Sequence, residues 1–170
     1  MKNIDKEEAI DLMRRTNRRI PKGLMKSEIE SAELRIDMRF PDSLREWLMI
    51  TNGPDIGPGG ILGLSDIEEV LNGNYGWKPQ KWIPVASDGC GNYHVIVHEN
   101  DDMDSVAFID CAADFKNIAY IVASNLWTFL RCYFEKQLID TEWPFVKSEV
   151  LMRDPDILKS KLPVPWEDDL

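Results

Sequence analysis

Between Trp82 and Val122 the chain carries four short runs of strand character, and no connection between them is long enough to hold a crossover helix. The runs are Trp82 to Ala86, Tyr93 to His98, Val106 to Ile109 and Ile118 to Val122. Tyr93, Val95 and Val97 alternate with His94, Ile96 and His98, the period of two that a strand imposes. Parallel pairing would need a connection of about a dozen residues or more. The longest gap here, residues 110–117, falls short of that. The spacing therefore predicts an antiparallel meander. Pro84 cannot donate to a ladder, which places the first run at an edge or puts Pro84 at a strand end. Ser87 to Asn92 reads as a turn, and Glu99 to Ser105 as an acidic hairpin loop.

Helical periodicity brackets these strands. Ala9, Leu12, Met13 and Thr16 repeat along a helix from about Asp5 to Arg19, with acids leading and arginines closing it. Arg14, Arg15, Arg18 and Arg19 would then share its surface. A second helix begins near Ser27, where Ser27 and Glu30 have capping-box spacing. A third follows Phe40-Pro41, carries Leu44, Trp47 and Leu48, and stops at Asn52-Gly53. A short helix is predicted from Ser65 or Asp66 to Leu71. After the strands, Ser124 reads as the cap of a helix whose wide apolar face holds Leu126, Phe129, Leu130, Tyr133, Phe134 and Leu138. One further short helix is expected around Val146 to Arg153. Helices at both ends with strands between them make the fold class α+β.

Length fits one domain over residues 1–170, with a core at about 27–145, an N-terminal helix at 1–22 and a tail at 146–170. The net charge is −10 and unevenly placed: residues 1–40 carry a net +2 and residues 41–170 a net −12. Phosphates and anionic headgroups are repelled by such a body, which argues against nucleic-acid and membrane partners and suits a basic protein. Cys90, Cys111 and Cys132 are odd in number and unpaired in spacing, as in a reducing compartment. With no signal-peptide pattern in the first 30 residues, the expected location is the cytoplasm.

Catalytic and metal-binding motifs are weak. Cys90, His94 and His98 recur every four residues, but strand positions four apart are about 13 Å apart, too far for one zinc ion. Gly57 to Gly60 lacks the Gly-Lys-Ser/Thr ending of a phosphate loop. Gly89-Cys90-Gly91 lacks the third glycine of a dinucleotide fingerprint. Asp88 and the acids of residues 99–104 lack calcium-loop spacing. A Cys90–His94 hydrolase pair would need an oxyanion hole, and no motif supplies one. The reading is a protein without catalytic residues, metal or cofactor.

Several stretches together resemble the SUKH superfamily, which includes a fungal cell-wall-synthesis regulator and many bacterial immunity proteins. They are Ile29, Glu33 and Leu34 running to Phe40-Pro41, Leu44, Leu48 and Asn52-Gly53; Trp82-Ile83-Pro84-Val85-Ala86 followed by Asp88-Gly89-Cys90-Gly91-Asn92; and Ile121-Val122-Ala123-Ser124 entering a helix with Phe129-Leu130. Trp143-Pro144-Phe145 and the acidic, proline-containing tail also resemble some bacterial members. The resemblance covers about residues 27–145. Asn92 stands where many relatives have an acid, and the arginine-rich first helix has no counterpart.

The resemblance implies an antiparallel sheet flanked by helices and a non-enzymatic role: binding and inhibiting a polymorphic toxin domain, often a nuclease. The expected partner is thus a cognate toxin with a basic nuclease domain, met by a monomer or weak homodimer. Charge and loop placement, together with the resemblance, put the expected contact at Asp88, Asn92, Tyr93, Glu99, Asp101, Asp102 and Asp104. The alternative is a regulatory scaffold that binds a host protein.

Overall fold

The computed structural model describes residues 4–73, 76–100 and 103–166. Four helices, α1 (Ile4–Arg15), α2 (Lys26–Ile36), α3 (Asp42–Ile50) and α4 (Leu64–Asn72), and the single turn α5 (Trp77–Gln80) precede the sheet. The sheet comprises β1 (Ile83–Ser87), β2 (Tyr93–Asn100), β3 (Met103–Ile109) and β4 (Tyr120–Ala123), with the turn α6 (Cys111–Asp114) before β4. Helices α7 (Leu126–Leu138) and α8 (Lys147–Arg153) and a 3-10 turn (Pro155–Lys159) complete the chain.

The strands run antiparallel in the order β1-β2-β3-β4, the expected meander in an α+β fold. Pro84 does lie on an edge strand. The glycine-rich segment before α4 partly covers that edge: Leu62 N–H donates to the Val85 carbonyl at 2.9 Å, and Ser87 N–H to the Gly60 carbonyl at 3.1 Å. At the other edge the C-terminal tail runs beside β4, with Ile121 N–H donating to the Pro163 carbonyl at 2.8 Å.

Period two sends His94 and Phe108, which face each other across β2 and β3, to one side of the sheet. Helix α7 covers that side, since the His94 ring lies 5.1 Å from Phe129. Tyr93 points to the opposite side and meets Trp77 edge-on at 5.7 Å. Trp47 of α3 meets Trp127 at 6.2 Å and Phe134 at 6.0 Å, joining the N-terminal helices to α7. Full burial of each such ring contributes about 2–3 kcal/mol. Helix α1 docks on α7 through polar contacts at its rim, where Arg131 pairs with Asp5 at 3.0 Å and Thr128 donates its hydroxyl to the same carboxylate at 2.7 Å.

Several boundaries differ from those the sequence predicts. Helix α1 stops at Arg15, because Asn17 takes a left-handed conformation (φ 54°), so Arg18 and Arg19 lie outside it. Helix α2 is capped at Met25, whose N–H donates to the Glu28 carboxylate at 2.7 Å; Ser27 is not the cap. Asn125 caps α7 by accepting from Thr128 N–H at 3.0 Å, which displaces Ser124 from that role. The expected acidic loop is mostly strand: Glu99 belongs to β2 and Asp104 to β3, and the residues between Asn100 and Met103 lie outside the described part of the chain.

Candidate functional site

Two loops meet at the end of the sheet where β1 passes into β2. Residues 53–61 approach the 87–92 turn so closely that a Cβ on Gly59 would fall 2.3 Å from the Gly89 nitrogen and 2.6 Å from the Ser87 oxygen. Only glycine permits that approach. The Tyr133 hydroxyl of α7 donates to the Ile56 carbonyl at 3.0 Å, which pins the first loop from below.

The second loop is organised by Asp88 and Asn92. One Asp88 oxygen accepts from the backbone N–H groups of Cys90 (2.8 Å) and Asn92 (3.0 Å); the other accepts from the Asn92 amide at 2.8 Å. Burial works against the ionised Asp88 carboxyl, but these hydrogen bonds outweigh it and hold the group below the usual carboxylate range. The Asn92 side-chain oxygen accepts from Cys111 N–H at 2.9 Å and so ties the turn to α6. His94, the second residue of β2, has its Nδ1 buried and without a hydrogen-bond partner. Its ring sits among Phe108 (5.3 Å), Phe129 (5.1 Å) and Tyr133 (6.4 Å). Burial there lowers its pKa to about 4, against the opposing pull of Asp88. A neutral imidazole among aromatic rings is a packing element.

Beside these loops, an open groove of about 740 Å³ runs between residues 53–62, α4 and Tyr93. Its apolar lining includes Ile61, Leu62 and Val70, and its rim carries Asp55, Asp66 and Glu69. No lysine or arginine lines it among the described residues. Asp66 is engaged in part, accepting from Gly63 N–H at 3.1 Å where α4 begins. Asp55 is exposed, as is Glu69. The groove thus joins concavity, apolar floor, an aromatic side chain and uncompensated negative charge, features that suit a cationic segment of another protein.

The seven residues expected at the partner contact fall into two groups. Asp88, Asn92 and Tyr93 stand at one end of β2, and Tyr93 lines the groove. Glu99 and Asp104 stand at the other end, about 20 Å away at roughly 3.4 Å per residue. Asp101 and Asp102 lie outside the described residues. Glu99 fastens the tail, accepting from the Ser160 hydroxyl at 2.7 Å and Lys161 N–H at 3.1 Å. Asp104 accepts a hydrogen bond from His98 Nδ1 at 2.7 Å. Asp55, Asp66 and Glu69 escape a sequence reading because only the fold brings a glycine-rich loop and a short helix beside Tyr93. The acidic face of α4 was the signal available.

The model of the SMI1/KNR4 family (SUKH-1) matches residues 23–132. The chain belongs to this family. The match begins just before α2 and ends within α7, so it takes in the groove, the 87–92 turn and the whole sheet. No curated protein matches the chain. SUKH-1 membership is consistent with an immunity-protein-like role. No helix among the described residues is long and apolar enough to cross a membrane.

Proposed function

We propose that this SUKH-1 protein is an immunity protein that binds a cognate polymorphic toxin, a basic nuclease domain, and covers its active-site surface. A nuclease must present positive charge to phosphates. A negatively charged groove with an aromatic wall competes for that surface and excludes the nucleic acid. The observation that carries this reading is the groove itself: Asp55, Asp66 and Glu69 converge beside Tyr93 with no lysine or arginine in the lining among the described residues. Asp104 and Glu99 at the far end of β2 add long-range attraction that speeds encounter. Asp101 and Asp102, outside the described residues, are assigned to the same contact by their charge alone. Affinity then rests on the anchor at Tyr93 and on the apolar floor.

The test begins with capture of the partner from the native cell, with this protein as bait, and expression of that partner alone to measure toxicity. Association is then followed at several salt concentrations for the parent and for the Asp55→Asn/Glu69→Gln variant, which leaves the helix-capping Asp66 in place. The variant is expected to associate about tenfold more slowly at low salt, with a flatter salt dependence. Equal rates would remove the groove from the interface, and a captured partner without toxicity would end the immunity reading.

A further inference from the structure

From Leu12 to Ser27 the chain has six cationic residues, Arg14, Arg15, Arg18, Arg19, Lys22 and Lys26, and no acid, in a protein of net charge −10. All six are exposed. Among the described residues only Lys26 has an ion-pair partner, Glu30 at 3.6 Å. Several nearby acids are already engaged: Glu28 by Met25 N–H (2.7 Å), Glu30 by Lys26 and by Arg45 (3.4 Å), and Glu46 by Lys6 (2.8 Å). The exposed Asp11, one turn before Arg14 and Arg15 on α1, offsets part of their charge. Arg18, Arg19 and Lys22 are exposed and form no ion pair among the described residues, so the strip keeps a net positive charge. Acids of the distant body are screened beyond about 8 Å at physiological salt.

This strip is held in place. Thr51 donates its hydroxyl to the Pro21 carbonyl at 2.9 Å, and Leu24 N–H donates to the Leu48 carbonyl at 2.8 Å. Gly23 packs so tightly that a Cβ there would lie 1.9 Å from the Met49 carbonyl oxygen. The same packing brings two outward apolar side chains beside the cations: Met25 is 66% exposed and Met49 44%. A phosphodiester backbone has no use for flexible thioether chains, and residues 12–27 contain no aromatic ring on which a base could stack. An anionic lipid surface uses both features, headgroup phosphates meeting the cations and the methionines entering the acyl boundary.

We propose that the Arg14–Lys26 strip is a peripheral docking surface for an anionic membrane. None of its residues lines the acidic groove. Composition argues against membrane binding for the average surface; the strip departs from that average. Binding would be weak and salt-sensitive, since each basic residue near the surface contributes modestly.

Full-length protein would be sedimented with vesicles of phosphatidylglycerol and phosphatidylcholine, and with vesicles of phosphatidylcholine alone. The expected result is binding to the first only, reversed by high salt. The Arg14→Ser/Arg15→Ser/Arg18→Ser/Arg19→Ser variant should lose on the order of 100-fold in partition coefficient. The Arg18→Ser/Arg19→Ser variant alters no helix and should lose about tenfold with an unchanged melting curve. Met25→Ser should weaken binding without changing its salt dependence. Failure to sediment with anionic vesicles overturns the proposal, as does sedimentation that ignores the arginine changes. A gel shift of duplex nucleic acid without vesicle binding overturns it in favour of a phosphodiester ligand.

Discussion

The Asp154 carboxylate grips Ser124 with both oxygens, accepting from its backbone N–H at 2.7 Å and its hydroxyl at 2.6 Å. This contact ties the segment after α8 to the residue just before the α7 cap, 30 positions earlier in the chain. Asp154 is buried, and burial raises its pKa above the ordinary carboxylate value despite the two hydrogen bonds from Ser124. A raised folded pKa means that the ionised form costs stability as pH climbs through it, while the group is most favourable below the unfolded value. Asn at 154 can keep both contacts, its oxygen accepting from Ser124 N–H and its nitrogen donating to the hydroxyl. Asp154→Asn should thus stay within about 1 kcal/mol of the parent at neutral pH, whereas Asp154→Ala should lose about 2–3 kcal/mol. Urea denaturation of the two variants checks this, and equal losses would show that the tie itself contributes little.

Asn92 gives a second test, because it joins the 87–92 turn to α6 through one donated and one accepted hydrogen bond. Asn92→Asp removes the donor facing Asp88 and sets two carboxylates side by side. Stability at neutral pH should fall by about 1–2 kcal/mol and partly return in acid, where one of the pair takes a proton. A variant as stable as the parent at neutral pH would mean that the turn rearranges to separate the two groups.

The meander was legible because period-two alternation and short connections leave few pairings; Pro84 pointed to an edge or a strand end, and the strand order decides for the edge. The wide apolar face of α7 was equally plain. The ends of helices were less so, because a cap is chosen by backbone geometry as well as by residue type. Ser27 and Glu30 have the spacing of a box, but Met25 and Glu28 are the pair that meets. Asp88 and Glu99 looked available for a partner because acids in loops usually face water. Asp88 is instead closed into its own turn by Cys90 and Asn92, a local Asx-type arrangement, while Glu99 is held by Ser160 and Lys161 about 60 positions away, which local sequence cannot show. Asp55 and Glu69 sit in the groove because α4 and the 53–61 loop converge there, and that convergence is a tertiary fact.

The three thiols should separate by reactivity. Cys90 is exposed in the 87–92 turn. Cys111 is half-buried, and burial, followed by Asp110 and Asp88, raises its pKa. Cys132 is buried in α7, and burial pushes its thiol up to about 12 despite Arg131 beside it. Because the thiolate is the reacting species, native protein should take up one equivalent of iodoacetamide quickly and the rest only after unfolding. Cys90→Ser should abolish the fast phase. A fast phase that survives this change would place a second reactive thiol at the surface.

His94 makes stability depend on pH well above the carboxylate range. Its Nδ1 has no partner in the folded state, and protonation would put a positive charge among Phe108, Phe129 and Tyr133. The folded pKa of about 4 lies below the ordinary value of 6.5, so the unfolded chain takes the proton first. The stability is complete above the unfolded value and is lost progressively as pH falls toward the folded one. Between about pH 6.5 and pH 5, before most carboxylates titrate, one such group removes about 1.5 kcal/mol, since the unfolded imidazole is already half protonated at the start of that interval. Asp88 stays ionised across that interval and keeps its hydrogen bonds, so it does not mask the effect. His94→Leu retains an apolar filling among the rings and has nothing to protonate. Urea unfolding at several pH values should show the parent weakening across that window and the Leu variant holding level. Parallel slopes in the two proteins would mean that His94 reaches solvent readily enough to titrate normally.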